Sequence, residues 1–316
     1  MDITTTPAWS AALDSAASIS QTTLKDLFAR DASRAETLSV EVSIGNDALL
    51  VDFSKQNIDT NSLQKLIAVA EQAGIMQQRN AMFEGVVVNG TENQPALHTA
   101  LRAPVDASVK VDGVEVMKEI HRVRTLVNEF AGSVRAGRIV GATGKKFQSV
   151  INVGIGGSDL GPTLVHEALS SVDTSAVHAH FVSNIDPTDV RAVLQKCDPE
   201  TTFVVLCSKS FSTAETLSNG RIIAQWISDA VGAKNVSKHF AVVSVSTEKD
   251  ASVGLSADYA FPMWPWVGGR YSISSAVNLV NVIAFGSNAY DNMLAGMRSM
   301  DEHFLTAPLH RNAPVL

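Results

Sequence analysis

Between residues 150 and 244, short runs rich in Val, Ile and Leu alternate with longer helical patterns. That rhythm restricts the fold more than any other feature of the chain. Val150 to Val153, His180 to Ser183, Thr202 to Cys207 and Phe240 to Ser244 read as strands. Leu160 to Leu169, Asp189 to Cys197 and Ala214 to Ala230 read as the helices between them. Nearly continuous apolar strands are those buried on both faces, and a strand–helix–strand repeat joins them in parallel. The expectation is an α/β, three-layer domain over 120–285 with a mostly parallel sheet.

The flanks read differently. The first ~80 residues are largely helical, with an amphipathic stretch from Asn61 to Ala73 closing at Gly74. Short apolar runs at Val40 to Ile44 and Leu49 to Phe53 suggest two strands there. A helix over Glu115 to Arg135 meets stop signals at Gly137 and Gly141. The expected division is a mostly helical segment at 1–119, the α/β domain at 120–285 and a helical connection at 286–316. The longest uncharged stretch, Tyr271 to Tyr290, is broken by Ser, Asn and Gly and reads as a buried helix, not a membrane span.

Charge narrows the function classes. Lys and Arg total 25 against 32 Asp and Glu, a net charge of −7, which argues against a nucleic-acid or membrane-surface partner. Cys197 and Cys207 are too few for a zinc cluster or a disulfide framework, so no metal is expected. Residues Met1 to Thr5 carry no basic or apolar leader, and the expected address is the cytoplasm. The apolar terminus after Arg311 hints that the natural sequence continues.

Two strand-to-helix turns carry candidate chemistry. Gly154-Ile155-Gly156-Gly157-Ser158-Asp159-Leu160-Gly161 follows a strand and opens a helix, where backbone N–H groups and the helix dipole attract anions. It reads either as an anion-binding loop or as a tight turn capped by Ser158 or Asp159. A dinucleotide fingerprint fits less well, because Asp159 stands where its third Gly belongs; Gly144-Lys145-Lys146 likewise fails as a nucleotide-binding P-loop. The second turn, Ser208-Lys209-Ser210-Phe211-Ser212-Thr213, packs four hydroxyls and one ammonium together. Converging donors of that kind suit a phosphate dianion. Ser212 or Thr213 followed by Glu215 would alternatively cap the helix.

A third segment, Trp264-Pro265-Trp266-Val267-Gly268-Gly269-Arg270-Tyr271-Ser272, makes the pattern specific. With the two turns, and with Met82-Phe83-Glu84-Gly85, Asn89, Thr91-Glu92 and Leu97 to Arg102, it resembles the glucose-6-phosphate isomerase family over roughly residues 45–316. Departures are Pro265, Ile273-Ser274, Gln94-Pro95, and Ser at 210 and 212 where the family has Thr; the last two keep their hydroxyls.

The resemblance implies an aldose–ketose isomerase acting on glucose 6-phosphate and fructose 6-phosphate through a cis-enediol, with no cofactor. It implies a first sugar-isomerase (SIS) type domain here, a second one missing from this chain, and a homodimer in the family. Gly157, Ser158, Ser208, Lys209, Ser210, Phe211, Ser212 and Thr213 would hold substrate, mainly its phosphate. Arg270 would stabilise the enediolate, and Lys209 would add charge beside the phosphate loop. The family's proton-transfer Glu, ring-opening His and C-terminal Lys belong to segments beyond residue 316, so the chain alone is expected to lack turnover. The alternative is a non-catalytic sugar-phosphate-binding SIS module. No histidine of the chain, His98 included, is assigned a catalytic role.

Overall fold

The computed structural model describes residues 2–171, 175–246 and 257–316, which form two units: Asn89–Leu294, and Met1–Val88 with Ala295–Leu316. In the smaller unit, polar side chains start three of the helices. Thr6 caps α1 (Pro7–Ile19), Thr23 and Asp26 form a reciprocal capping box on α2 (Leu24–Arg30), and Asp59 caps α4 (Thr60–Gln72). Between them come α3 (Arg34–Thr37) and a hairpin of β1 (Ser39–Ile44) and β2 (Asp47–Asp52); α5 (Ile75–Phe83) follows α4. Buried Arg34 is satisfied by the carbonyls of Ser54 and Gln56, at 2.8 and 2.7 Å.

The larger unit opens with the small hairpin β3 (Lys110–Val111) and β4 (Val114–Glu115). α6 (Met117–Ala136) then begins two residues later than the sequence suggests, because the Glu115 carboxylate accepts the Met117 amide at 3.0 Å and the Val109 amide at 3.2 Å. The βα alternation follows: β5 (Ser149–Val153), α7 (Gly157–Ser170), β6 (His178–Val182), α8 (Pro187–Leu194), β7 (Thr202–Cys207), α9 (Ala214–Val231), β8 (Phe240–Ser244) and β9 (Tyr259–Pro262). α10 (Leu279–Phe285) and α11 (Ser287–Thr306) complete the elements.

All five strands are parallel, in the order β6-β5-β7-β8-β9. β5, β7 and β8 are buried throughout. Successive side chains go to opposite faces: Phe203, Val205 and Cys207 pack with Phe130 of α6 and Ile283 of α10, while Val204 and Leu206 pack with Val190 of α8 and Ile223 of α9. This is the expected three-layer α/β arrangement. Each fully buried large side chain contributes about 1.5–3 kcal/mol, so the two faces hold the sheet without a disulfide.

Three differences from the sequence reading have local causes. α8 starts at Pro187 and not at Asp189, because Asp186 caps it and Pro187 fits the first helical position. α7 starts at Gly157, so the glycine-rich turn is partly the helix's own first turn. β9 was not anticipated: it has four residues and ends in Pro262, which only an edge strand tolerates. Among the described residues no helix is long and apolar enough to cross a membrane.

The strand order places a topological switch between β5 and β7. From β5 the chain moves outward to β6, then returns across β5 to β7 and continues the other way. The loops after the two strands flanking such a switch diverge and leave a crevice at their carboxyl ends, the usual ligand position of open parallel sheets. Those two loops are the Gly154 to Gly157 turn and the Ser208 to Thr213 turn.

Candidate functional site

The first loop is held by its glycines and by one buried asparagine. Gly156 adopts φ 58° and ψ −119°, a conformation open to glycine, and it heads α7 with no side-chain cap. A Cβ on Gly157 would lie 2.0 Å from the Gly269 carbonyl oxygen, so the first loop and the third segment touch backbone to backbone. Asn152, fully buried on β5, donates from Nδ2 to the Ser158 carbonyl at 2.9 Å and so fixes the first turn of α7. Asp159, buried behind it, has its carboxyl raised by burial, against hydrogen bonds from Ser183 and Thr163.

The second loop leaves its hydroxyls unspent. Thr213 occupies the N-cap of α9 but makes no side-chain cap bond. The Ser208 hydroxyl is buried without a partner, and so is that of Thr216 in the first turn of α9. Exposed Ser210 and Ser212 meet only each other, Oγ to Oγ at 2.5 Å. Phe211 between them has φ 50°, a costly conformation for a bulky residue. Its ring is buried among Val204, Ile223 and neighbours, which drives the flanking serines outward. The side-chain cap that Ser212 or Thr213 would supply to α9 is absent among the described residues.

The third segment is positioned by His98. The Gly268 amide donates to His98 Nε2 at 2.8 Å, and the imidazole lies 5.1 Å from the Tyr271 ring. Accepting that bond requires an unprotonated Nε2. Consistently, burial, with Arg102 and Lys209 nearby, pushes the His98 pKa down to about 4. Trp264 and Trp266 stack at 5.1 Å, and the Ser272 hydroxyl donates to the Gly269 carbonyl at 2.8 Å. Together these contacts present Arg270 at the surface, with no ion pair among the described residues.

A cleft of about 620 Å³ lies between the first loop and the third segment, within the range of small-molecule sites. Gly157 and Arg270 line it, with Gly156, His98, Glu92 and Tyr271. Lys209 reaches its rim: Nζ lies 3.2 Å from Oε2 of Glu92, an exposed pair worth under about 1 kcal/mol. Ser158 sits one residue into α7, and Ser208, Ser210, Phe211, Ser212 and Thr213 lie in the adjoining loop, outside the cleft wall. Of these, Phe211 turns its side chain into the core, so only its backbone can face a ligand.

Sequence reasoning passed over Asn152 and undervalued His98. A lone Asn inside the apolar run Val150 to Val153 was the available signal for the first, since a polar residue in a doubly buried strand needs a partner. For His98 the partner is a backbone amide 170 positions away, which no local pattern reveals.

The phosphoglucose isomerase family model matches residues 52–316. Curated relatives include glucose-6-phosphate isomerases of Frankia casuarinae, 43% identical over this whole chain and 56% of that protein, and of Mycolicibacterium smegmatis, 42% identical over 57% of that protein. The chain thus spans little more than half the length of the curated relatives it matches. A crystal structure of a glucose-6-phosphate isomerase from Chlamydia trachomatis superposes with a TM-score of 0.87 at 27% identity, covering all of this chain and 59% of that one. A hypothetical protein from Thermus thermophilus, at 23% identity and a TM-score of 0.55, supports the fold alone.

Proposed function

Because the chain belongs to the phosphoglucose isomerase family, we propose that it carries the phosphate-gripping part of a glucose-6-phosphate isomerase site. The reaction is the reversible exchange of glucose 6-phosphate and fructose 6-phosphate in glycolysis and gluconeogenesis, in the cytoplasm, by proton transfer between C2 and C1 through a cis-enediol. Region 120–285 acts as an SIS-type binding domain. Ser208, Ser210, Ser212 and Thr213, with the amides at the starts of α7 and α9, receive the phosphoryl dianion, and Lys209 adds charge at the rim. Ser158, Gly157 and the Phe211 backbone complete the contacts. Arg270 faces the carbonyl carbons and stabilises negative charge developing on the enediolate oxygens. Base and ring-opening groups come from the part of the relatives' length that this chain does not span, and the complete site forms in a homodimer.

One observation carries the reading. The two loops flanking the sheet's switch point both start helices without a side-chain cap, and one holds a buried hydroxyl with no partner. Donors left in that state cost about 1–3 kcal/mol each unless a ligand takes them. Calorimetric titration of the chain with glucose 6-phosphate and with glucose tests it. The phosphate ester should bind at least tenfold more tightly than the bare sugar. Equal affinity would sink the cradle, and robust isomerisation by the 316 residues alone would refute the assignment of catalytic groups elsewhere.

A further inference from the structure

At the other end of the same sheet, a second cleft of about 530 Å³ opens where β5 and β6 begin. Ser149 and His178 are register partners at the first position of the two strands, so this cleft is separated from the glycine-rich loop by a five-residue strand, about 16 Å. Nothing in the isomerase reading uses it. Its wall holds three imidazoles, those of His166, His178 and His180, together with the Lys196 ammonium and the hydroxyls of Ser149, Ser170 and Ser175.

The arrangement is short of counter-charge. No carboxylate lines the cleft among the described residues, and Glu167, next to His166 on α7, is exposed and outside its wall. Among the described residues Lys196 forms no ion pair. His166 is held between Phe181 and Phe285, each ring 5.3 Å away, and its Nδ1 is buried with no hydrogen-bond partner. His180 is kept toward its neutral form by burial and then by Lys196, His178 and His166. Cys197, beyond Ser149, has its thiol raised by burial and is uncharged.

Helix ends set the balance. α7 ends at Ser170, in the wall, and α8 two residues before Lys196, whereas the end of α10, at Phe285, is already met by the Arg135 guanidinium, which donates to the Ile283 and Ala284 carbonyls. Each helix C-terminus presents roughly −0.5 charge. With neutral imidazoles the ends of α7 and α8 offset the Lys196 ammonium, and the cleft is close to neutral. Once two or three imidazoles are protonated, the cations prevail.

We propose that this cleft is a proton-dependent binding site for a phosphoryl oxyanion, distinct from the substrate cradle. Lys196 supplies the permanent charge, His166, His178 and His180 supply N–H donors when protonated, and the serines complete the shell. Bound anion favours the imidazolium forms, so occupancy and protonation reinforce each other.

Sulfate is the suitable probe, because it stays dianionic from pH 5 to 8 and its own titration cannot mimic the effect. The full chain is titrated at pH 8.0 and 6.0, following the ring NMR signals of the three histidines, in the parent and in a Ser208→Ala/Thr213→Ala background. We expect those signals to saturate with an affinity about tenfold higher at pH 6.0, unchanged by the loop substitutions. The exposed substitution Lys196→Met should weaken binding about tenfold at both pH values, and His178→Gln should flatten the pH dependence, each with an unchanged melting midpoint. Unmoved histidine signals, or equal affinity at both pH values, would overturn the site. Loss of binding in the loop background would assign the anion to the substrate cradle instead. Parallel titrations with inorganic phosphate and glycerol 3-phosphate separate a free oxyanion from a phosphate ester as its source.

Discussion

Two βα loops of the same sheet, one after β6 and one after β7, solve the start of a helix in opposite ways. Between β6 and α8, the carboxylates of Asp186 and Asp189 and the side-chain oxygen of Asn184 are spent on amides of the loop and of the start of α8. Asp186 caps Thr188, Asn184 accepts the Asp186 amide, and Asp189 accepts the amides of Ser183 and Asn184 at 3.1 and 3.0 Å. Between β7 and α9 the composition is as polar, yet the Thr213 side chain caps nothing, the Ser208 hydroxyl has no partner, and Phe211 is held at positive φ. The contrast shows that hydroxyl content does not mark a receptor. A loop that satisfies itself is architecture, and the loop whose donors are left over is the one we propose as the receptor.

Substitutions can break that contrast from either side. The largest effect should come from Ser208→Ala/Thr213→Ala. Each lost hydrogen bond to a dianion is worth about 1.5–3 kcal/mol, so glucose 6-phosphate affinity should fall by more than about 100-fold in titration. The melting midpoint should hold or rise, since an unpartnered buried hydroxyl is removed. Next comes Gly157→Ala, which forces a Cβ against the Gly269 carbonyl. Overpacking of that kind costs about 1–3 kcal/mol and should lower both stability in denaturant melts and ligand affinity, because the two cleft walls part.

The converse substitution is Asp186→Ala. Losing an N-cap costs about 1 kcal/mol, and here stability should drop while glucose 6-phosphate binding stays put. Equal damage to binding by Asp186→Ala and by the serine–threonine pair would erase the distinction between the loops.

A pH experiment sharpens the role of the third segment. The folded chain holds His98 down to about 4 against an ordinary value of 6.5, so its neutral form contributes fully above 6.5. That contribution is lost as pH falls from 6.5 towards 4, because the unfolded chain takes up the proton first. His180 and His239 are also lowered and act in the same direction, so comparison with His98→Gln isolates this residue. Parent melting midpoints should fall faster than the variant's between pH 6.5 and 4.5. The smallest effect is expected for Glu92→Gln, which removes an exposed ion pair with Lys209 and should change affinity less than about threefold.

Much of this was legible in the chain itself, for identifiable reasons. Val204, Leu206 and their neighbours leave no polar face, so β7 had to be a buried parallel strand. Gly156, Gly157 and Ser208 to Thr213 could be placed at strand ends because turn chemistry is local. What escaped was non-local. β9 carries four residues and a proline, too little pattern to register. The choice between cap and receptor at Thr213 depends on a hydroxyl orientation, and Asn152 and His98 act through bonds to distant backbone. At Gly157 the sequence suggests access for a ligand, and the structure shows a backbone neighbour, Gly269, that leaves no room for a Cβ.

The most direct test is a crystal structure of the chain with glucose 6-phosphate bound. We expect the phosphoryl oxygens within hydrogen-bond distance of the Ser208 and Thr213 hydroxyls at the start of α9, with the sugar extending toward Arg270. A phosphoryl group found elsewhere, with those hydroxyls still unpartnered at saturating ligand, would contradict the account.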